Sequence, residues 1–308
     1  MSKKTIVTGS ALTAVGSYLA LCGFMYLRQR QLLYRPTKST PLTPQSEEVV
    51  PAQGQHPLLR GWVDRPGQAK ALVYFGGASE DVDLRRKMMF KHFPEHTLYF
   101  VPYRGFGPNS HLECEEAPLK MDALRLVNHV MLHHSHIDVV GRSLGTGMAV
   151  HVASQLPVQA VGLITPYDSI LEVARNRYRM FPITHMLRDR FESWKDAAQV
   201  HAPVLACLAE TDTVVPWVRT KALLKHFPVE PSQCVIGQAN HTTIADSEHL
   251  WHAMAGFFST QAMNPHLNLG VREEDNPSPT LVEQVKEVVS EVLNAPNTAL
   301  RTPSKPSL

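Results

Sequence analysis

The chain has 308 residues, of which 44% are hydrophobic and 19% charged, and its 30 Lys plus Arg against 28 Asp plus Glu leave a formal net charge of only +2. That length buries a sufficient core without staples, and that balance excludes intrinsic disorder for most of the chain and, for want of a basic stripe, nucleic-acid binding. The four cysteines, Cys22, Cys114, Cys207 and Cys234, form no C-x-x-C pair and no metal-ligand spacing, which excludes a disulfide scaffold or a zinc module.

From Thr5 to Leu27 there are 23 residues with no charge and no proline, flanked by Lys3 and Lys4 and by Arg28, Arg30, Arg35 and Lys38. As a helix the run spans about 34 Å, enough for a bilayer's hydrocarbon core. The expectation is a single-pass N-terminal transmembrane anchor, residues 1–40 with the juxtamembrane segment, and hence a membrane localisation. A cleaved signal peptide or lipoprotein leader is the alternative, although no Ala-x-Ala follows and Leu21 precedes Cys22 where a small residue is wanted. Basic residues are nearly matched on the two sides, so the orientation stays open.

Beyond the anchor, strand and helix signals alternate, which predicts an α/β architecture on a mostly parallel sheet with helices on both faces. Strands are expected at Leu58–Val63 (antiparallel), Ala71–Phe75, His96–Val101, Ile137–Val140, Ala160–Ile164, Val204–Leu208 and Gln233–Ile236. Helices are expected at Asp81–Phe93, Pro118–Leu132, Leu144–Leu156, Val218–Phe227 and Ile244–Phe258. Together they make one domain, residues 45–261. Residues 170–202, between two strands, form the sizeable insertion and predict a small helical lid. A proline-rich tail, 262–308, follows, with an amphipathic helix expected over Thr280–Asn294 and a capping box at Thr280 and Glu283.

The chemistry concentrates at one strand-to-helix junction, Gly141-Arg142-Ser143-Leu144-Gly145, which has the G-x-S-x-G pattern in the context that gives it meaning. A serine lifted on so sharp a turn brings its neighbours against the adjacent strand and helix, and Gly141 and Gly145 remove that collision. A serine hydroxyl needs a base and an orienting acid, in the chain order Ser, acid, His. Asp212, after the strand Val204–Leu208, and His241, after the last strand, both fall at the carboxyl edge of the sheet, where open α/β sheets gather ligands. Asp168, in Thr165-Pro166-Tyr167-Asp168, is the rival acid. The cluster His129, His133, His134 and His136 lacks H-E-x-x-H and a paired carboxylate, and no metal is assigned. Backbone N–H groups of Leu144 and of Ala78, in the loop Phe75-Gly76-Gly77-Ala78-Ser79, are the candidate oxyanion donors.

Taken together, the stretch from about Gln45 to Phe258 resembles the α/β-hydrolase superfamily, and more closely its membrane-anchored abhydrolase-domain branch of depalmitoylases and lysophospholipid or monoacylglycerol lipases. The matching pieces are Gln31-Leu32-Leu33-Tyr34-Arg35-Pro36, Tyr74-Phe75-Gly76-Gly77, Tyr103-Arg104-Gly105-Phe106-Gly107, the elbow with Thr146-Gly147, Thr165-Pro166-Tyr167-Asp168-Ser169, and the acid and histidine loops. One departure is Gly76-Gly77-Ala78-Ser79-Glu80 where many relatives have His-Gly-Asn-Ala-Gly. The resemblance implies a serine esterase or thioesterase that needs no cofactor. Arg175, Arg179, Tyr178 and Phe181 of the lid are candidate contacts for an acyl substrate with an anionic head group presented by a bilayer. A serine peptidase and a scaffold without activity are the rival classes; a haloalkane dehalogenase would need a carboxylate at position 143.

Overall fold

The computed structural model describes residues 3–36 and 47–261. The chain divides into two compact units, Met1–Asn276 and Pro277–Leu308, and the described residues all belong to the first. The tail and its expected helix lie outside the described residues. In chain order the elements are α1 (Lys3–Tyr34), β1 (Glu47–Val50), β2 (Leu59–Asp64), β3 (Lys70–Phe75), α2 (Asp83–His92), β4 (His96–Phe100), α3 (Glu116–Met131), β5 (His136–Arg142), α4 (Leu144–Gln155) and β6 (Ala160–Ile164). The insertion follows as α5 (Ile170–Arg177), α6 (Ile183–Met186) and α7 (Ser193–Ala197), and then β7 (Val204–Ala209), α8 (Trp217–Leu224), β8 (Ser232–Ile236) and α9 (Glu248–Gln261).

The strands form one eight-stranded sheet in the order β1-β2-β4-β3-β5-β6-β7-β8. β1 and β2, and β2 and β4, pair antiparallel, and every later pair is parallel. A parallel strand covered on both faces has no solvent side, so it reads as a continuous apolar run rather than an alternation. In β3, Leu72 and Tyr74 join the core under α2 and α9 with Met89, Trp251 and Met254, whereas Ala71, Val73 and Phe75 join the core under α3 and α4 with Leu126 and Met148. The chain runs outward from β3 to β4 and then returns to β5 on the other side. The carboxyl ends of β3 and β5 therefore flank a switch point, the place where open α/β sheets leave a crevice for ligands.

The N-terminal run is helical, as expected, but no described helix is long and apolar enough to cross a membrane, which corrects the transmembrane expectation. Gly9, Ser10, Thr13, Gly16, Ser17 and Gly23 dilute the apolar character of the run. The helix is also tied to the sheet's core at its far end, where Tyr34 is 1% exposed.

One ion-pair knot fastens the insertion to the layer of helices beneath it. Asp196 of α7 accepts from His151 of α4 at 3.0 Å and from Lys120 of α3 at 3.4 Å. Burial pushes the Asp196 carboxyl up, but the bonds from His151 and Lys120 outweigh it and hold the group below its usual range. A carboxyl depressed in the folded state stabilises the fold above its unfolded pKa of about 3.9, and the contribution is lost as pH falls through the folded value. Asp196→Asn is therefore expected to lower the urea midpoint at pH 7 and to converge on the parent as the medium is acidified below about pH 4. A midpoint difference that is the same at both pH values would contradict the assignment.

Candidate active site

Ser143 stands between β5 and α4 with φ 48° and ψ −116°, left-handed territory that a residue with a side chain enters only when its surroundings compel it. Its N–H is held by the Ile164 carbonyl at 2.8 Å, and its own carbonyl accepts from the Thr146 N–H and hydroxyl. The turn closes only because the flanking residues lack side chains. A Cβ on Gly141 would stand 2.4 Å from the Gly145 carbonyl oxygen, and one on Gly145 would stand 2.0 Å from the Phe75 carbonyl oxygen.

Three loops at the carboxyl edge converge on this serine. His241 Nε2 lies 2.9 Å from Ser143 Oγ, and His241 Nδ1 lies 2.7 Å from Asp212 Oδ2. Asp212 is 2% exposed, and its other oxygen accepts from the N–H groups of Val214 at 2.9 Å and Val215 at 2.8 Å. Those two bonds fix the carboxylate's rotation, so Oδ2 is held for the imidazole. The histidine loop is set by Asn240, whose side-chain oxygen accepts from the N–H groups of Thr242 and Thr243, and by Arg142, which donates to the His241 carbonyl at 3.0 Å. Serine, histidine and aspartate thus form one hydrogen-bonded chain.

Asp168 does not join it. It accepts from the Ser169 N–H and from Arg219 at 3.1 Å, and burial pushes its carboxyl up against the opposing pull of Arg219. The histidine cluster disperses: His134 bonds Tyr99 and the Gln68 carbonyl, and His129 meets His133 edge to face. Tyr178 and Arg179 make their described hydrogen bonds within the insertion, Arg175 pairs with Glu172, and Phe181 stacks on Tyr18 of α1. None of those contacts reaches Ser143.

The loop after β3 lies against the serine, since a Cβ on Gly77 would stand 3.5 Å from Ser143 Cβ. Most of its polar backbone is committed. The Gly76 carbonyl accepts from Tyr103, the Gly77 N–H donates to Glu80 Oε2 at 2.6 Å, and the Ser79 N–H donates to the Tyr34 carbonyl at 3.0 Å. No described hydrogen bond takes up the Ala78 N–H between them. Leu144 is the first residue of α4, a position whose N–H has no partner inside a helix. Neither N–H is taken up in a described hydrogen bond, and one belongs to the loop against the serine while the other follows it in sequence.

Glu80, which stands in the sequence only as a departure from a family pattern, is the hub of this wall. Its side chain is 4% exposed and meets Arg142 at 3.1 Å, Arg85 at 3.0 Å, the Tyr74 hydroxyl and the Gly77 N–H. The sequence signal was a carboxylate five residues past the strand end with arginines at 85 and 142; only the fold puts those charges together. Removing it by Glu80→Ala leaves buried guanidinium groups short of a counter-charge. A loss of about 3–5 kcal/mol in stability is expected, read as a shift of the urea midpoint. A shift equal to that of an exposed surface substitution would contradict the hub.

Two groups among the described residues have donor sets that could hold a metal ion. They are His92, Glu248 and His252 at the surface, and His96, His136 and Asp138 at the amino ends of β4 and β5. In the first, Glu248 is already paired with Lys91 and His92. In the second, the Asp138 carboxylate accepts from both imidazoles, and the buried His96 Nδ1 lacks the acceptor that a metal-bound imidazole ordinarily has on its second nitrogen. The second sits at the amino ends of its strands, opposite the carboxyl edge that carries Ser143.

No protein-family model matches the chain. An uncharacterized protein of Mycobacterium tuberculosis is 28% identical over 245 residues, covering 75% of this chain and 85% of that protein. Among solved structures, Est1E from Butyrivibrio proteoclasticus superimposes with a TM-score of 0.57 at 13% identity, covering 71% of this chain and 100% of its own. A thermophilic esterase from Thermogutta terrifontis gives 0.53 at 16% identity, with 70% and 99% covered, and mouse alpha/beta hydrolase domain-containing protein 10 gives 0.51 at 16%, with 68% and 96% covered. The chain has the α/β-hydrolase fold.

Proposed function

We propose that this chain, built on the α/β-hydrolase fold, is a serine hydrolase that cleaves carboxylic esters or thioesters through an acyl-enzyme on Ser143. The observation that carries the proposal is the continuous hydrogen-bonded chain from Ser143 Oγ through His241 to the buried Asp212, on a strained elbow beside two uncommitted N–H donors. His241 Nε2 takes the hydroxyl proton as Oγ attacks the acyl carbon. The carbonyl oxygen, gaining negative charge, settles between the N–H groups of Ala78 and Leu144. When the tetrahedral intermediate collapses, the bond to the alcohol or thiol breaks and the leaving group takes the proton from His241. Water then repeats the sequence in place of the serine and frees the acid, while Asp212 holds the tautomer throughout.

Acyl substrates at a lipid surface fit the exposed apolar residues Leu12, Val15, Leu19 and Leu27 of α1 and Met180 of the lid, near Arg175 and Arg179. Solved structures of the same fold include proteins described as an esterase and a monoacylglycerol lipase, which agrees with this class. The test is a panel of nitrophenyl esters, an S-acyl peptide, a lysophospholipid and peptide anilides, each run with the parent and with Ser143→Ala. Ester or thioester turnover that vanishes in the variant is expected. Turnover confined to the anilides would make the protein a serine peptidase, and turnover of none, or turnover unchanged by the substitution, would overturn the proposal.

A further inference from the structure

Helix α1 touches both the insertion and the loop after β3. Along the lid, the Tyr18 hydroxyl donates to the Met180 carbonyl at 2.7 Å, Gln29 donates to the Met186 carbonyl and accepts from the Arg188 N–H, and Arg188 lies 4.4 Å over the Tyr26 ring. Arg30 and the Tyr34 hydroxyl both bond Asp189 at 3.0 Å, and the Tyr34 ring meets Phe191 edge to face. At its last residue the same helix turns to the other wall, where the Tyr34 carbonyl accepts the Ser79 N–H from the loop that carries Ala78. These partners stand more than forty positions apart in sequence, and several more than one hundred and fifty.

From this we infer that α1 is a strut that fixes the Gly76–Glu80 loop relative to the lid, with Tyr34 as its positioning residue; the inference rests on the hydrolase reading of Ser143. Ser79 has φ 56°, a conformation that needs support from outside the loop, and its N–H has that support at the Tyr34 carbonyl. The loop's other ties are Tyr103 to Gly76 and the Glu80 side chain, which accepts from the Gly77 N–H and is itself held by Arg85, Arg142 and Tyr74; none of them reaches the Ser79 N–H. Release of Tyr34 therefore removes the outside support of Ser79, the residue that follows Ala78, and lets the peptide between the anchored Gly77 and Glu80 relax. A misplacement of about 1 Å in such a donor costs up to about a hundredfold in rate, and it acts on the transition state rather than on substrate binding. Among the described side chains of α1, Tyr34 and the adjoining Leu33 are the ones that reach the core.

The experiment uses the full chain with Tyr34→Ala, Tyr34→Phe and Arg30→Ala, and measures ester kcat and KM, the rate of fluorophosphonate labelling, and amide hydrogen exchange in the peptide spanning residues 75–82. Tyr34→Ala is expected to lower kcat and labelling about 10–100-fold with KM within about threefold, and to speed exchange in that peptide. Tyr34→Phe keeps the buried ring that places the backbone carbonyl, which the alanine variant loses, and is expected to hold kcat to within about threefold of the parent. Arg30→Ala, which loosens the helix without opening the core, is expected to move both readouts in the same direction by less, and decides the matter if Tyr34→Ala does not fold. Parental kcat in Tyr34→Ala, or a loss with no change in loop exchange, would overturn the inference. Should the parent show no Ser143-dependent turnover, that failure belongs to the hydrolase reading, and the exchange comparison alone then decides whether α1 holds the loop.

Discussion

Replacing Ser143 with alanine is expected to lower ester turnover by about 10⁴–10⁶-fold while leaving the urea midpoint close to that of the parent. The size follows from how the three side chains are joined. Without Oγ there is no acyl-enzyme, and the proton acceptor at His241 Nε2, 2.9 Å away, has nothing to activate except water. What survives is the residual catalysis of the two backbone donors and of binding. The backbone strain at position 143 is kept by the Ile164, Phe75 and Gly145 contacts rather than by the hydroxyl, so alanine accepts the same turn. A loss below about tenfold would remove Ser143 from the chemistry.

The second large effect is expected at Asp212. In Asp212→Asn the N–H groups of Val214 and Val215, at 2.9 and 2.8 Å, hold the side-chain oxygen in the Oδ1 position. The amide nitrogen is thereby forced into the place of Oδ2, 2.7 Å from His241 Nδ1. A donor there makes Nδ1 an acceptor and moves the imidazole proton to Nε2, where it faces Ser143 and can take nothing from it. A loss of about 10⁴-fold in kcat with unchanged stability is expected. Asp168→Asn is expected to stay within about threefold of the parent, because that carboxylate serves Arg219 and Ser169. Equal losses at the two positions would contradict the assignment of the acid.

The contrast between these aspartates shows where sequence reasoning reaches. Both follow a strand, and only chain order favours Asp212; the structure adds the backbone donors that orient it. The parallel strands were legible because a strand buried on both faces must be apolar along its buried length, as β7 is and β3 is after Lys70. β1 was not, because Glu47-Glu48-Val49-Val50 is short, half acidic and at the sheet's edge. The expected helix from Ile244 divides into a short 3-10 turn, Thr243–Asp246, and α9 from Glu248. The elbow was legible since its glycines answer a local collision.

Helix α1 marks the opposite limit. Its helical conformation is written in local composition, but its destination is not. A window of residues registers that Tyr18, Gln29, Arg30 and Tyr34 sit in or beside an apolar run, and it has no access to partners at Met180, Met186 and Asp189. Glu80 escaped for the same reason. A lone acid in a loop reads as solvated until the fold sets Arg85, Arg142 and Tyr74 around it. Long-range polar pairing is what the sequence conceals, and here it shapes the walls of the site.

The most direct measurement is to label the full chain with a fluorophosphonate and map the adduct by mass spectrometry after trypsin, which cuts at Arg142 and leaves Ser143 at the start of its peptide. A single stoichiometric adduct on Ser143, formed far more slowly in Asp212→Asn, is the predicted result. An unlabelled Ser143, or an adduct carried by a different residue, would contradict the account.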